Sequence, residues 1–380
     1  MGAALGVRHV QGLFLVPMTV DRGWTRDTFA FAIAMQNLVW GFTQPLTGMI
    51  ADRYGALKVI VAGALLYGLG LVLLSHATTP AELTLSAGLL IGVALSCTAF
   101  GSIYGALSKM VDSKNRPWAL GLAGAVGGLG QFAMVPAAQG LIDGLGWALA
   151  LVAMAACMAV VAPMALSIKA EPGQASGGPA QSMRDAIREA FRHRGFWLLN
   201  VGFLACGFQL AFIASHLPAY LLDQGLKASD AVAGLAIIAL ANVVGTYYCG
   251  YLGAFFRRKY LLTALYLVRS LAMVVFILLP TTALSVYVFA AVMGALWLGT
   301  VPLTNGLIGQ VFGVRYITTL FGFVFVGHQV GSFLGVWLGG LVFDATGSYQ
   351  LIWLGAIALG VLAAILHWPI DDRELKRAAP

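Results

Sequence analysis

Long apolar runs alternate along the chain with short breaks of charged or turn-forming residues. A helix needs about 20 largely apolar residues to cross a bilayer. Twelve runs meet that need, at 2–20, 26–50, 57–75, 82–110, 117–142, 146–168, 196–222, 230–255, 260–280, 283–312, 316–343 and 349–368. They are continuously apolar, which predicts helices; barrel strands would run about 10 residues and alternate. The one long break, 169–195, holds Pro172, Gly173, Gly177, Gly178 and Pro179, then the charged stretch MRDAIREAFRHRG. It predicts a flexible joint leading into an amphipathic interfacial helix. The expected organisation is a six-helix bundle at 1–168, a linker at 169–195, a second bundle at 196–368 and a tail at 369–380.

Composition narrows the class. Of 380 residues, 60% are hydrophobic and 10% charged, against about 25% charged in a soluble domain. Too few charges remain to coat a soluble globule. The net charge of +7 does not form the face or stripe of a nucleic-acid binder, because the basic residues fall in the breaks. Seventeen of the 22 lie on one side: Arg53, Lys58, Lys109, Lys114, Arg116, Lys169, Arg184, Arg188, Arg192, Arg194, Arg257, Arg258, Lys259, Arg315, Arg373, Lys376 and Arg377. Arg22, Arg26 and Lys227 lie on the other, and Arg8 and Arg269 inside runs. The positive-inside rule then places both termini and the central loop in the cytoplasm. Cys97, Cys157, Cys206 and Cys249 sit singly in apolar runs, so neither a metal centre nor a disulfide framework is expected. The first run lacks the basic start of a cleavable signal.

An internal repeat is visible. Pro17, Asp21, Gly23, Gly48, Gly121, Gly130, Gly140 and Asp143 recur in order as Pro218, Asp223, Gly225, Gly250, Gly322, Gly331, Gly340 and Asp344, at a nearly constant offset of about 201. The chain therefore reads as two parallel six-span halves. The same offset sets Met1 opposite Gly202, while the seventh run starts near 196. The first helix is expected to lack about two turns and a basic flank, and a chain extended at its N-terminus to insert and transport better.

Twelve spans in a 6+6 repeat with a long basic middle loop resemble the major facilitator superfamily. The segment GMIADRYGALK is similar to its G-x-x-x-D-R-x-G signature, carried by Gly48, Asp52, Arg53, Gly55 and Lys58. These are gating candidates. Gly48 lets helices approach, Asp52 suits a helix N-terminus, and Arg53 and Lys58 offer ion pairs that break as the halves rock. The second-half copy, GYLGAFFRRK, lacks the acid, so an asymmetric gate is expected. GLFLVP…DRGWTRDTFA and GGLVFDATGSYQLIW resemble bacterial members of the monocarboxylate and oxalate/formate transporter group. That likeness implies a bacterial inner-membrane, monomeric transporter of small organic anions. One departure stands out: the eighth run carries Asn242 and Thr246 but no arginine, where that group places one for the substrate carboxylate.

Ionisable groups within a bilayer are costly and mark function by default. Here Arg8, His9, His216, Arg269 and His328 lie within runs, while all fifteen acids lie in loops, span ends or tails. A buried arginine without a carboxylate lacks its counter-charge, and an anionic substrate would supply it. The offset pairs Arg8 with Gln209 and Tyr104 with Asn305 on opposite walls of one cavity. Gln11 shares a face with Arg8, and His216 with Gln209. The substrate-binding candidates are Arg8, Gln11, Tyr104, Gln209, His216, Arg269, Asn305 and His328, with Gln36, Asn37, Gln131 and Asn200 secondary. Plainer roles stand beside these: snorkelling for Arg8, a peripheral structural charge for Arg269, bonds to freed carbonyls for His216, and helix bridging for Tyr104 and Asn305.

No HExxH, GxSxG or P-loop occurs, so enzyme and ATP-driven readings fall away and no cofactor is expected. The expected function is secondary transport of a small organic anion, proton-coupled or by exchange. Efflux of a neutral or amphipathic compound is the alternative, and a sensor without transport a more distant one.

Overall fold

The computed structural model describes residues 1–112, 115–165 and 181–375. Most of the expected joint, and Lys114, Lys169, Lys376 and Arg377, lie outside the described residues. All regular structure among the described residues is helical. The helices are α1 (Gly2–His9), α2 (Gln11–Arg22), α3 (Arg26–Tyr54), α4 (Ala56–Ser75), α5 (Pro80–Leu83), α6 (Ile91–Thr98), α7 (Phe100–Met110) and α8 (Arg116–Ala165). A π-helical segment, Thr84–Leu90, joins α5 to α6. The second half holds α9 (Met183–Arg192), α10 (Arg194–Asp223), α11 (Ala228–Phe255), α12 (Arg258–Leu278), α13 (Ala283–Ala295), α14 (Thr300–Phe312), α15 (Ile317–Thr346) and α16 (Gln350–His367).

Nine helices among the described residues are long and apolar enough to span, and the α1–α2 pair, bent by 44°, makes a tenth. Two corrections of scale bring the count to the expected twelve. At 50 residues α8 is far too long for one crossing, and Gly146 breaks it at φ 79° and ψ 162°. Helix α3 is long enough, but Gln36, Asn37 and Gln44 on its buried face lower its hydropathy. Spans four and ten are each interrupted, at Ala99 and at 296–299.

The surface is that of a bilayer protein. On α4, Leu65, Leu69 and Leu73 face outward, while Gly63, Ala64, Tyr67 and Leu71 are buried. The 3.6-residue period separates the two sets, but large aliphatics lie outside and small or polar groups within. Two pairs of left-handed glycines, Gly23 with Gly225 and Gly146 with Gly347, repeat at the same offset after equivalent helices. Glycine enters positive φ without strain, so each pair marks a turn, although Gly146 (ψ 162°) and Gly347 (ψ 14°) differ in ψ.

Packing is backbone on backbone. Within the second half a Cβ at Gly207 would collide with the carbonyl of His328, and one at Gly331 with that of Leu204. Between the halves, α3 lies along α15 and α8 along α11. At the first seam a Cβ at Gly41 would come within 2.6 Å of Gln329 Cβ, and one at Gly48 within 3.1 Å of the Thr318 carbonyl. Helices in lipid gain their association from such contacts, since the tails are as apolar as leucine.

Gly207→Ala is expected to destabilise the detergent-solubilised protein by about 1–3 kcal/mol through overpacking, read as a lower thermal midpoint. Gly140→Ala, with nothing within 4 Å of the added carbon, should leave the midpoint unchanged.

Candidate functional site

Several buried polar groups lie where the two halves meet, and others turn into one half. The end of the bundle carrying the Gly48–Lys58 turn is called the basic end below.

At the end away from it, Arg26 opens α3 and reaches Asp223 at the end of α10. Nη1 donates to Oδ2 at 2.7 Å and Nη2 to Oδ1 at 2.9 Å, a two-pronged pair with directional strength. Arg26 Nη1 also donates to Tyr349 Oη at 3.2 Å, and the guanidinium lies over the Phe343 ring. Beside it, the Asp27 amide donates to Asp344 Oδ2 at 2.9 Å. Both Asp223 and Asp344 are second-half members of the repeat. His216 stands directly behind this latch. It is fully buried, with Nδ1 3.2 Å from Tyr349 Oη and Nε2 2.8 Å from the Val336 carbonyl.

Deeper in the bundle, α1 docks on the middle of the Arg116–Gly146 stretch, where Gly6 lies against Gly130. Arg8 therefore sits far from either end of the span, and snorkelling does not describe it. Its Nη2 donates to Asn37 Oδ1 at 2.7 Å, the guanidinium lies 5.2 Å from the Trp40 ring centroid, and Nε has no partner. The side chain is only partly buried, and no carboxylate among the described residues lies within ion-pair distance. Next to it His9 crosses to the second half, with Nε2 3.1 Å from the Leu235 carbonyl and its ring edge-on to Trp297. Trp40 continues into an aromatic cluster across the seam, with Phe325 at 4.9 Å and Phe100 at 6.3 Å. His328 at the cluster's far edge stacks on Phe325, lies tilted 4.7 Å from Phe203, and sits 2.9 Å from Gln329 Oε1.

Arg269 has a different environment. Fully buried inside the second half, it donates through Nε and Nη2 to the Leu296 carbonyl and through Nη2 to that of Trp297. Those carbonyls are freed by the interruption of span ten, at the negative end of α13. Nη1 lies 3.3 Å from Cys206 Sγ. Its charge is taken up by a helix end.

The repeat-based pairing of Arg8 with Gln209 across a shared cavity is not what the fold builds. Gln209 turns into the second half, donating to the Ala356 carbonyl on α16 at 2.9 Å. Nor do Arg8 and Gln11 share a face. Gln11 follows Val7, Phe14 and Met18 into the apolar interior of the first half. Tyr104 and Asn305 do reach one seam. The unpartnered Tyr104 hydroxyl abuts Gly124 on α8. One turn towards the basic end, Leu120 and Gly250 line a cavity that also holds Asn305. From Thr246 a hydrogen-bonded chain runs to Asn242 (2.7 Å) and on to Gln131 of the other half (3.1 Å). This chain occupies the span where the missing arginine was noted.

At the basic end the signature residues close the other side. Asp52 Oδ2 accepts from Thr319 Oγ1 at 2.9 Å, across the halves. Gly55 has φ 94° where α3 turns into α4. Arg53 and Lys58 are exposed, with no carboxylate in ion-pair range among the described residues, so the expected ion pairs are absent there. In the second-half copy Arg257 pairs with Asp372 and holds its carboxyl below the usual range. The asymmetry is thus a hydrogen bond on one side and a tail clamp on the other.

Sequence reading ranked Asn37 low and passed over Trp40, Arg26 and Tyr349. Asn37, Trp40 and Gln44 follow a helical i, i+3, i+7 spacing on α3, a signal that was available.

Two repeated halves joined by contacts at both ends of the bundle, with polar groups between them, fit the architecture of a secondary transporter. Comparison with known proteins places the chain within a family. The Major Facilitator Superfamily model matches residues 2–335, and the chain belongs to that superfamily. It is 29% identical to monocarboxylate transporter 13 of Bos taurus, over 96% of this chain and 86% of that one. It is 27% identical to monocarboxylate transporter 11 of Mus musculus, over 93% and 81%. It is 23% identical to the uncharacterized MFS-type transporter YcxA of Bacillus subtilis, over 95% and 90%. The crystal structure of the Escherichia coli fucose:proton symporter FucP shares the fold, with a TM-score of 0.67 and 18% identity over 96% of this chain and 95% of that one.

Arg26→Gln should loosen the latch. In a chain stripped of its four cysteines and given one at Ser215, a membrane-impermeant maleimide should then label several-fold faster. Equal labelling would mean that the latch does not hold this end shut.

Proposed function

We propose that the chain carries a small organic anion with an apolar body, such as a monocarboxylate, across a bacterial inner membrane by alternating access, with its basic end in the cytoplasm. The observation that carries this is the contrast between the two arginines. Arg269 has its charge met by a helix end, whereas Arg8 keeps spare donors, partial access and an aromatic wall at the interface of the halves. A guanidinium offers five N–H groups in a fixed fork, and a carboxylate is the natural partner for those left over. The aromatic cluster from Trp40 to Phe325 suits the apolar remainder. The names of the monocarboxylate relatives support the same class.

Coupling is assigned to His216. A proton there places a positive charge behind Tyr349, which hydrogen-bonds Arg26 of the latch. Like charge on the two sides of one hydroxyl favours release of Arg26 from Asp223. Proton binding and opening of the outer end are then linked, as symport requires.

Arg8→Gln should abolish uptake of a labelled monocarboxylate into proteoliposomes, and Arg8→Lys should keep a small fraction. Arg269→Gln should lower the thermal midpoint while leaving the apparent affinity of the remaining folded protein within about twofold. Unchanged uptake in Arg8→Gln would refute the assignment. Binding of neutral amphipathic compounds by wild type, with no response to carboxylates, would favour efflux instead.

His216→Gln should remove the stimulation of uptake by an inward proton gradient while sparing exchange of internal for external substrate. Persistent stimulation would move the coupling proton elsewhere.

A further inference from the structure

Beyond the Arg8 site, we infer a second anion site at the basic end, built on Arg258 and Asn305, that receives the carboxylate of a small hydroxy acid. The place is a cavity of about 200 Å³ between α8, α11, α14 and α15. A water takes about 30 Å³ of liquid, so a molecule of a few heavy atoms fits.

Its chemistry is divided. One wall is apolar, from Leu120, Pro302, Leu303 and Ile317. The other carries Arg258, whose Nη1 donates to Gln310 Oε1 at 2.5 Å. Arg258 has no carboxylate in ion-pair range among the described residues; its neighbour Arg257 takes Asp372 instead. Glycine shapes this wall: a Cβ at Gly306 would come within 2.6 Å of Arg258 Nε, so any side chain there would displace the guanidinium. Asn305 is buried (1% exposed), and its Oδ1 has no partner. An orphaned buried acceptor is costly until a donor arrives. A carboxylate cannot donate, but a hydroxyl on the same molecule can. Arg258 for the carboxylate and Asn305 for the hydroxyl define the ligand.

This site is not the Arg8 site. Leu120 lines the cavity, and Gly130 receives α1 ten residues further along α8, about 15 Å of helix rise. The Tyr104 hydroxyl and the Thr246–Asn242–Gln131 chain lie along the route between them. The cavity would thus be the station at which substrate enters or leaves the basic end.

Saturation-transfer NMR on the full chain in phosphatidylcholine nanodiscs, with glycolate and acetate as probes, tests this. Wild type should transfer to both probes. Arg258→Gln should lose about half the glycolate signal, Arg8→Gln a similar share, and the double variant nearly all. Asn305→Leu should weaken glycolate and spare acetate. Gly306→Val keeps the charge but pushes it aside, and should reproduce Arg258→Gln if that variant folds poorly. Full signal in both Arg258→Gln and Gly306→Val would overturn the second site while leaving Arg8 standing. Loss confined to the Arg258 variants, with Arg8→Gln unaffected, would uphold this site and sink the central one. Glycolate transfer at the Arg258 site that vanishes in phosphatidylglycerol nanodiscs would assign the cavity to a lipid headgroup and overturn the hydroxy-acid reading.

Discussion

Close contact of helix backbones within lipid is the constraint on which the rest of this molecule depends. Water cannot drive the helices together there, so association rests on surfaces that touch over their full length. Gly207 against the His328 carbonyl, Gly331 against Leu204 and Gly41 against Gln329 are such surfaces. They leave little space along the seams, and so they decide where space remains. The half-buried Arg8 and the cavity at Arg258 lie between helices that are otherwise in contact.

The same economy governs charge. A bilayer tolerates an ionised side chain only when something meets it. For Arg269 the fold supplies two carbonyls from an interrupted helix, which solves two problems at once, since those carbonyls would themselves be orphaned. For Arg8 the fold supplies one amide oxygen and an aromatic face, leaving the charge incompletely met. Two arginines that look alike as letters differ in how far the protein meets their charge: Arg269 is held by backbone carbonyls, and Arg8 keeps an unpartnered Nε.

Opening and closing are also divided unequally. The end away from the basic one is held by a two-pronged ion pair and an amide–carboxylate bond, both using acids from the second half. The basic end is held by the Asp52–Thr319 bond and by glycine contacts. The latch away from the basic end is electrostatic and touches a buried histidine through Tyr349.

Much of the fold was legible in the sequence because a bilayer imposes simple rules. Span length, loop charge and the 201-residue offset each follow from physics acting along one dimension. The repeat also picked out residues whose backbone conformations recur, such as Gly23 and Gly225. Which way a buried side chain turns was not legible. Gln11 lines the apolar interior of the first half with Val7, Phe14 and Met18, away from Arg8. The interruption of span ten created the carbonyls that hold Arg269, and the packing of α16 drew Gln209 out of the central seam. The sequence by itself determined the helical spans, the repeat and the short inventory of buried charges. Only the tertiary structure decided which of those charges were already satisfied, because a side chain's partner depends on helix bends and rotations set by packing across the whole bundle.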